Sequence, residues 1–116
     1  MAFPPRRLRA AFGYSRQGLA AAWRSEASFR DEVWLSAILL PLACWLGENG
    51  VERALLAASW LLVPLVELLN TAVEVLVERI DPAFHPLSGR AKDLGSAAVL
   101  LAMLVAALVW WLVLLG

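Results

Sequence analysis

PLVELLNTAVEVLVE, residues 64–78, lies inside a long apolar run and yet carries Glu67, Asn70, Glu74 and Glu78. At 100° per residue of α-helix these four stand at about 0°, −60°, −20° and +20°, an arc of roughly 80°. Leu68, Leu69, Val73, Leu76 and Val77 cover most of the remaining surface. A carboxylate in hydrocarbon must be paired, protonated or hydrated. A polar stripe on a helix otherwise suited to lipid therefore marks a candidate functional site.

The rest of the chain supplies the lipid setting. Of its 116 residues 61% are hydrophobic, and the mean hydropathy is +0.70. Three apolar runs dominate, at 33–47, 54–77 and 94–115. The second and third can span about 30 Å of hydrocarbon. The first is short and recruits residues 27–29 if its helix starts earlier. The length allows one domain. The expected fold is an all-α membrane protein, with an amphipathic surface helix at about 4–25 and three spans at about 29–47, 53–78 and 90–115. A soluble helical bundle with a very apolar core is the competing architecture.

Net charge is zero, but its distribution is uneven. Arg6, Arg7, Arg9, Arg16 and Arg24 precede the first span, Arg30 begins it, and Arg79, Arg90 and Lys92 flank the second loop. Only Arg53 lies in the first loop. The positive-inside rule then places the N-terminus and second loop in the cytoplasm and the C-terminus outside. The basic start lacks a compact apolar region with a cleavage site, so no signal peptide is expected. Cys44 is single, which excludes a disulfide framework within the chain and a cysteine metal motif. No nucleic-acid partner is expected.

Local signals refine this picture. Leu8, Ala11, Phe12, Leu19, Ala22 and Trp23 form one broad face of the surface helix, with Arg6, Arg9, Arg16 and Arg24 on the headgroup side. Gly13 and Gly18 weaken it, with a break expected near Gly13-Tyr14-Ser15. Glu26 and Arg30 are spaced for a local ion pair. Pro41 and Pro64 fall inside spans, and Trp45, Trp110 and Trp111 suit membrane interfaces. Two prolines and a glycine are expected to keep residues 80–90 out of helix, with Ser88 as cap of the third span. Gly95, Ser96 and Ala97 suit close helix approach.

Acidic groups on the cytoplasmic side suit Mg²⁺ with bound phosphates, basic groups suit a polyphosphate, and a spare carboxylate suits a general base. Measured down from Arg79, Glu74 lies about 8 Å and Glu67 about 18 Å into the span. Together these fit phosphoryl transfer at a membrane surface. Neither a G-x-x-x-x-G-K-[ST] nor a G-x-G-x-x-G motif is present.

Glu67-Leu-Leu-Asn70-Thr-Ala-Val-Glu74 and Gly89-Arg-Ala-Lys92-Asp93-Leu-Gly95-Ser96-Ala-Ala resemble the signature of the prokaryotic integral-membrane diacylglycerol kinases. Gly13-Tyr14-Ser15, Ala21-Ala22-Trp23 with Glu26, Phe29-Arg30 with Glu32, and Ala43-Cys44-Trp45-Leu46 are similar to that family too, so the likeness covers nearly the whole chain. It implies a homotrimer in the bacterial inner membrane that transfers the γ-phosphate of MgATP directly to diacylglycerol, giving phosphatidic acid. By position, the resemblance implies Glu67 as general base, Glu26 and Glu74 as metal ligands, and Asn70 in support. It implies nucleotide contacts from Arg7, Tyr14, Glu26, Glu74, Ala83, Phe84, His85, Lys92 and Asp93. It implies a lipid site formed by Arg7, Ser15, Trp23, Arg30, Glu32, Trp45, Glu67 and Ser96. Pro86 and Glu78 depart from the family pattern, which often has glutamate and aspartate there. Three other readings stay open: an undecaprenol kinase, a small proton-coupled transporter, and a non-catalytic membrane subunit.

Overall fold

In the computed structural model, which describes residues 4–80, 83 and 85–116, the chain forms four α-helices. They are α1 (Pro5–Ser25), α2 (Ala27–Leu46), α3 (Gly50–Ile80) and α4 (Pro86–Leu115). Each of the last three turns one periodic seam inward. On α2 the seam is Phe29, Glu32 and Ala43, with half-buried Ser36 between them. On α3 it is Leu56, Ser59, Val63 and Glu67. On α4 it is Ala102 and Ala106, reached from half-buried Gly95 by seven residues and then four. Such spacings keep a row of side chains on one helical face.

The core is small. Val63 packs with Ala102 and Ala106, and Trp60 and Val66 close over it. The short α4 side chains let that helix approach α3 closely. Two indoles then tie the helices together. Trp60 Nε1 donates to Ser36 Oγ at 2.8 Å, and Trp110 Nε1 donates to the Leu56 carbonyl at 3.0 Å. Each satisfies a polar group that would be costly to bury alone.

Outside this core, α3 and α4 present rows of exposed leucine, valine and tryptophan. Both are long and apolar enough to cross a membrane, and only 22% and 11% of their most apolar windows are buried within the chain. A core helix of a soluble bundle is mostly covered within its own chain, and these two are not. Among the described residues no other helix meets the same standard. The 20-residue α2 carries Arg30, Asp31 and Glu32 in its first two turns.

Local chemistry sets the helix ends. Asn49 Oδ1 accepts from Glu52 N–H at 2.9 Å, while Glu52 Oε1 accepts from Glu48 N–H at 3.1 Å, a reciprocal cap at the start of α3. Arg53 Nε donates back to the Cys44 carbonyl at 3.1 Å. A β-carbon on Gly47 would lie 2.6 Å from Arg53 Cγ, so this tight passage needs glycine.

Four local expectations are corrected. The surface helix runs unbroken through Gly13 and Gly18; one glycine costs about 1 kcal/mol against alanine, too little to interrupt 21 residues of mostly good helix formers. Helix α4 begins at Pro86, not near Arg90, because proline at the first helical position needs no N–H partner. Its cap is His85, whose Nδ1 accepts from Leu87 N–H at 3.0 Å, and not Ser88. Ala97 faces outward, and the close approach of α4 runs instead through Gly95, Ala102 and Ala106.

Candidate active site

Glu67 sits where the apolar seam of α3 turns polar. Leu56, Val63 and Glu67 lie almost in line along the helix, so Glu67 is carried inward by the same face that builds the core. It is 6% exposed. Its backbone carbonyl accepts from Thr71 Oγ1 at 3.0 Å. One turn on, Asn70 Nδ2 donates to Glu74 Oε1 at 3.4 Å. On α2, Glu32 is 4% exposed, and Ser36 Oγ donates to its carbonyl at 2.7 Å.

Glu26 arrives by a different route. It is the one residue between α1 and α2, extended at φ −119° and ψ 108°. Its N–H donates to Ala22 O at 2.9 Å and its carbonyl accepts from Arg30 N–H at 3.2 Å. Its side chain makes no capping bond, which leaves the carboxylate free of the backbone. The Glu26–Arg30 ion pair expected from spacing does not form. Arg30 Nη1 donates instead to the carbonyls of Trp23, at 2.7 Å, and Arg24, at 3.3 Å. A guanidinium satisfies the carbonyls left open at a helix C-terminus, and favourably so against the helix dipole. Trp23 and Trp34 brace the same elbow, their ring centroids 6.3 Å apart.

These groups meet in one cleft of about 360 Å³, lined by Glu26, Ser28, Glu32, Glu67, Asn70, Glu74, Ser96, Val99, Leu100 and Met103. Four carboxylates face it and no lining residue is basic. Glu32 Oε1 and Asn70 Oδ1 are buried with no hydrogen-bond partner in the protein. Burying carboxylates without counter-charge is costly, so the four acids suit an incoming cation. Among the described residues, no three histidine, cysteine or acidic side chains converge tightly enough to hold a metal ion unaided.

The cleft therefore gathers Glu26, Glu32, Glu67, Asn70, Glu74 and Ser96, and no other described candidate lines it. Ser15 lines a separate, mostly apolar groove of about 760 Å³ between α1 and α3. His85 lines a hollow of about 390 Å³ with Val77, Ile80, Leu87, Ser88 and Ala91. Lys92 Nζ stands 4.0 Å from Glu78 Oε1 on the exposed surface, so Glu78 leaves the acidic stripe. Arg7, Tyr14, Asp93 and Trp45 are exposed, Ala83 lies in the turn before His85, and Phe84 lies outside the described residues. Val99, Leu100 and Met103 were not anticipated, although they follow Ser96 at three, four and seven residues on one helical face. Ser28 carried no signal at all.

A buried acidic cleft among helices long and apolar enough to cross a membrane marks an all-helical protein with a candidate active site. Comparison with known proteins gives the family. The model of the prokaryotic diacylglycerol kinases matches residues 13–114. Diacylglycerol kinase of Escherichia coli K12 is 50% identical over 104 residues, covering 90% of this chain and 85% of its own. That of Haemophilus influenzae is 50% identical over 97 residues, covering 84% and 82%. That of Pseudomonas aeruginosa is 47% identical over 111 residues, covering 96% and 90%. The chain belongs to the prokaryotic diacylglycerol kinase family. It is thus a kinase, which sets aside the transporter and the non-catalytic subunit.

Proposed function

We propose that the protein phosphorylates diacylglycerol to phosphatidic acid at the bacterial inner membrane, by direct transfer of the γ-phosphate of ATP. The observation that carries this reading is the burial of Glu67 in a cleft shared with Glu26, Glu32, Asn70, Glu74 and Ser96. Its identified relatives are named for the same lipid.

Glu67 takes the proton of the lipid hydroxyl as that oxygen attacks phosphorus, and ADP leaves on the opposite side. Seating the base on the buried seam of α3 keeps water from competing for the phosphoryl group. Glu26 and Glu74 would hold Mg²⁺ together with the nucleotide's phosphates. There the metal would supply positive charge against that developing on the phosphates. Asn70 steadies Glu74. Glu32 and Ser96 meet the polar head of the lipid. Arg7, Tyr14, His85, Lys92 and Asp93 lie outside the cleft of a single chain and serve nucleotide if copies assemble. A homotrimer with three spans per copy, cytoplasmic N-terminus and external C-terminus accommodates this.

The test is ATP-dependent phosphorylation of a panel of lipid alcohols in mixed micelles, with diacylglycerol and undecaprenol in competition. Phosphatidic acid as main product supports the reading; no phosphorylated lipid refutes it. Preference for undecaprenol would keep the chemistry and change the acceptor.

A further inference from the structure

We infer that Gly95 is a positioning residue of the active centre: its missing side chain is the socket that seats the Asn70 amide, and through it Glu74. The inference rests on the metal role proposed for Glu74. A β-carbon built on Gly95 would fall on Asn70 Oδ1 and lie 3.1 Å from Asn70 Cγ. The amide oxygen therefore fills the space that any other residue would claim. It is buried there without a hydrogen-bond partner in the protein, an arrangement that stabilises nothing by itself. What it achieves lies at the other end of the same amide. With the oxygen lodged against α4, Nδ2 is turned along α3 toward Glu74 Oε1, 3.4 Å away.

The contrast with the rest of the α4 seam sharpens this. Further along, alanine at 102 and 106 is small enough for close packing against α3. A β-carbon is tolerated at both. At position 95 the atom it would meet is a side-chain terminus and not α3 backbone. Glycine in a helix interior costs about 1 kcal/mol relative to alanine. Helix–helix packing alone does not require that cost here, since rotation of Asn70 would make room. An alanine at 95 is therefore compatible with the fold and incompatible with this setting of the amide.

The test uses the full-length protein in detergent, with Gly95→Ala, Asn70→Ala, the double variant and Glu74→Gln. Asn49 is the only other asparagine, so [¹⁵N]asparagine labelling gives two side-chain amide pairs by NMR, and Asn70→Ala assigns them. Gly95→Ala should shift the Asn70 pair and leave the Asn49 pair in place. Mn²⁺ binding, read by electron paramagnetic resonance in the presence of a non-hydrolysable ATP analogue, should weaken roughly three- to ten-fold in Gly95→Ala, the scale of one long hydrogen bond to a carboxylate. In the Asn70→Ala background the same change should cost less than about two-fold, because its partner is already gone. An unmoved Asn70 amide, unchanged Mn²⁺ binding, or an undiminished penalty in the double variant overturns the inference. Should Gly95→Ala not fold, the double variant must recover the fold, and failure to do so overturns it equally. Unchanged Mn²⁺ binding in Glu74→Gln overturns the metal reading and this inference together. Weakening there but not in Gly95→Ala overturns the inference alone.

Discussion

Replacing Glu32 by methionine should make the ligand-free protein more stable while impairing it as an enzyme. Glu32 is 4% exposed on the inward seam of α2, and its Oε1 has no partner in the protein. A buried acceptor left unsatisfied costs about 1–3 kcal/mol. Methionine is unbranched, of similar length, and adapts to irregular apolar gaps. The carboxylate anchors no neighbouring group: Ser36 bonds the Glu32 carbonyl, which the substitution keeps. The expected gain is thus about 1–3 kcal/mol. At about 4 °C per kcal/mol for a chain of this length, that is a rise in Tm of roughly 4–12 °C. Thermal unfolding in detergent followed by circular dichroism measures it, beside lipid kinase activity on the same preparation. The activity should fall through a raised KM for lipid. A loss of stability above about 1 kcal/mol would refute the reasoning, since it would mean that the carboxylate is satisfied and holds the fold together.

Glu67→Gln should lower turnover by about 10²–10⁴, the usual contribution of a general base, with binding of a labelled ATP analogue retained; substantial turnover would remove Glu67 from that role. Leu56→Ala deletes a fully buried side chain on the α3 seam and should cost about 2–5 kcal/mol in denaturant titration, without specific loss of metal binding. Glu78→Gln breaks only an exposed pair at 4.0 Å and should change stability by less than about 1 kcal/mol. Trp110→Phe removes the donor to Leu56 O and should cost about 0.5–1.5 kcal/mol plus lost packing.

Much of α3 can be read from its residues, because one helical period governs both its apolar and its acidic face. Glu67, Asn70 and Glu74 share an arc by arithmetic, and the cleft gathers all three. Glu78 fits the same arithmetic and still leaves, since at the exposed end of the helix Lys92 competes for it. Glu32 is harder to see. The resemblance offers it as a lipid contact, but within Arg30-Asp31-Glu32 no local pattern sets it apart, and only the seam through Phe29, Ser36 and Ala43 shows that it points inward. Glu26 and Arg30 invite pairing by their spacing, but open carbonyls at the end of α1 offered the guanidinium a better site. The meeting of Asn70 with Gly95 was hidden for another reason. It depends on the register of α3 against α4, which no local pattern encodes.

The single-residue joint between α1 and α2 has a mechanical consequence. At 1.5 Å per residue the arm formed by the 21 residues of α1 is about 30 Å long, and Glu26 is its fulcrum. On a lever the far end travels and the fulcrum does not. A tilt of this arm by about 10° would carry Pro5 roughly 5 Å and leave the acid at the pivot almost where it stands. Tilting of α1 about this joint would therefore leave the Glu26 carboxylate close to the cleft it lines.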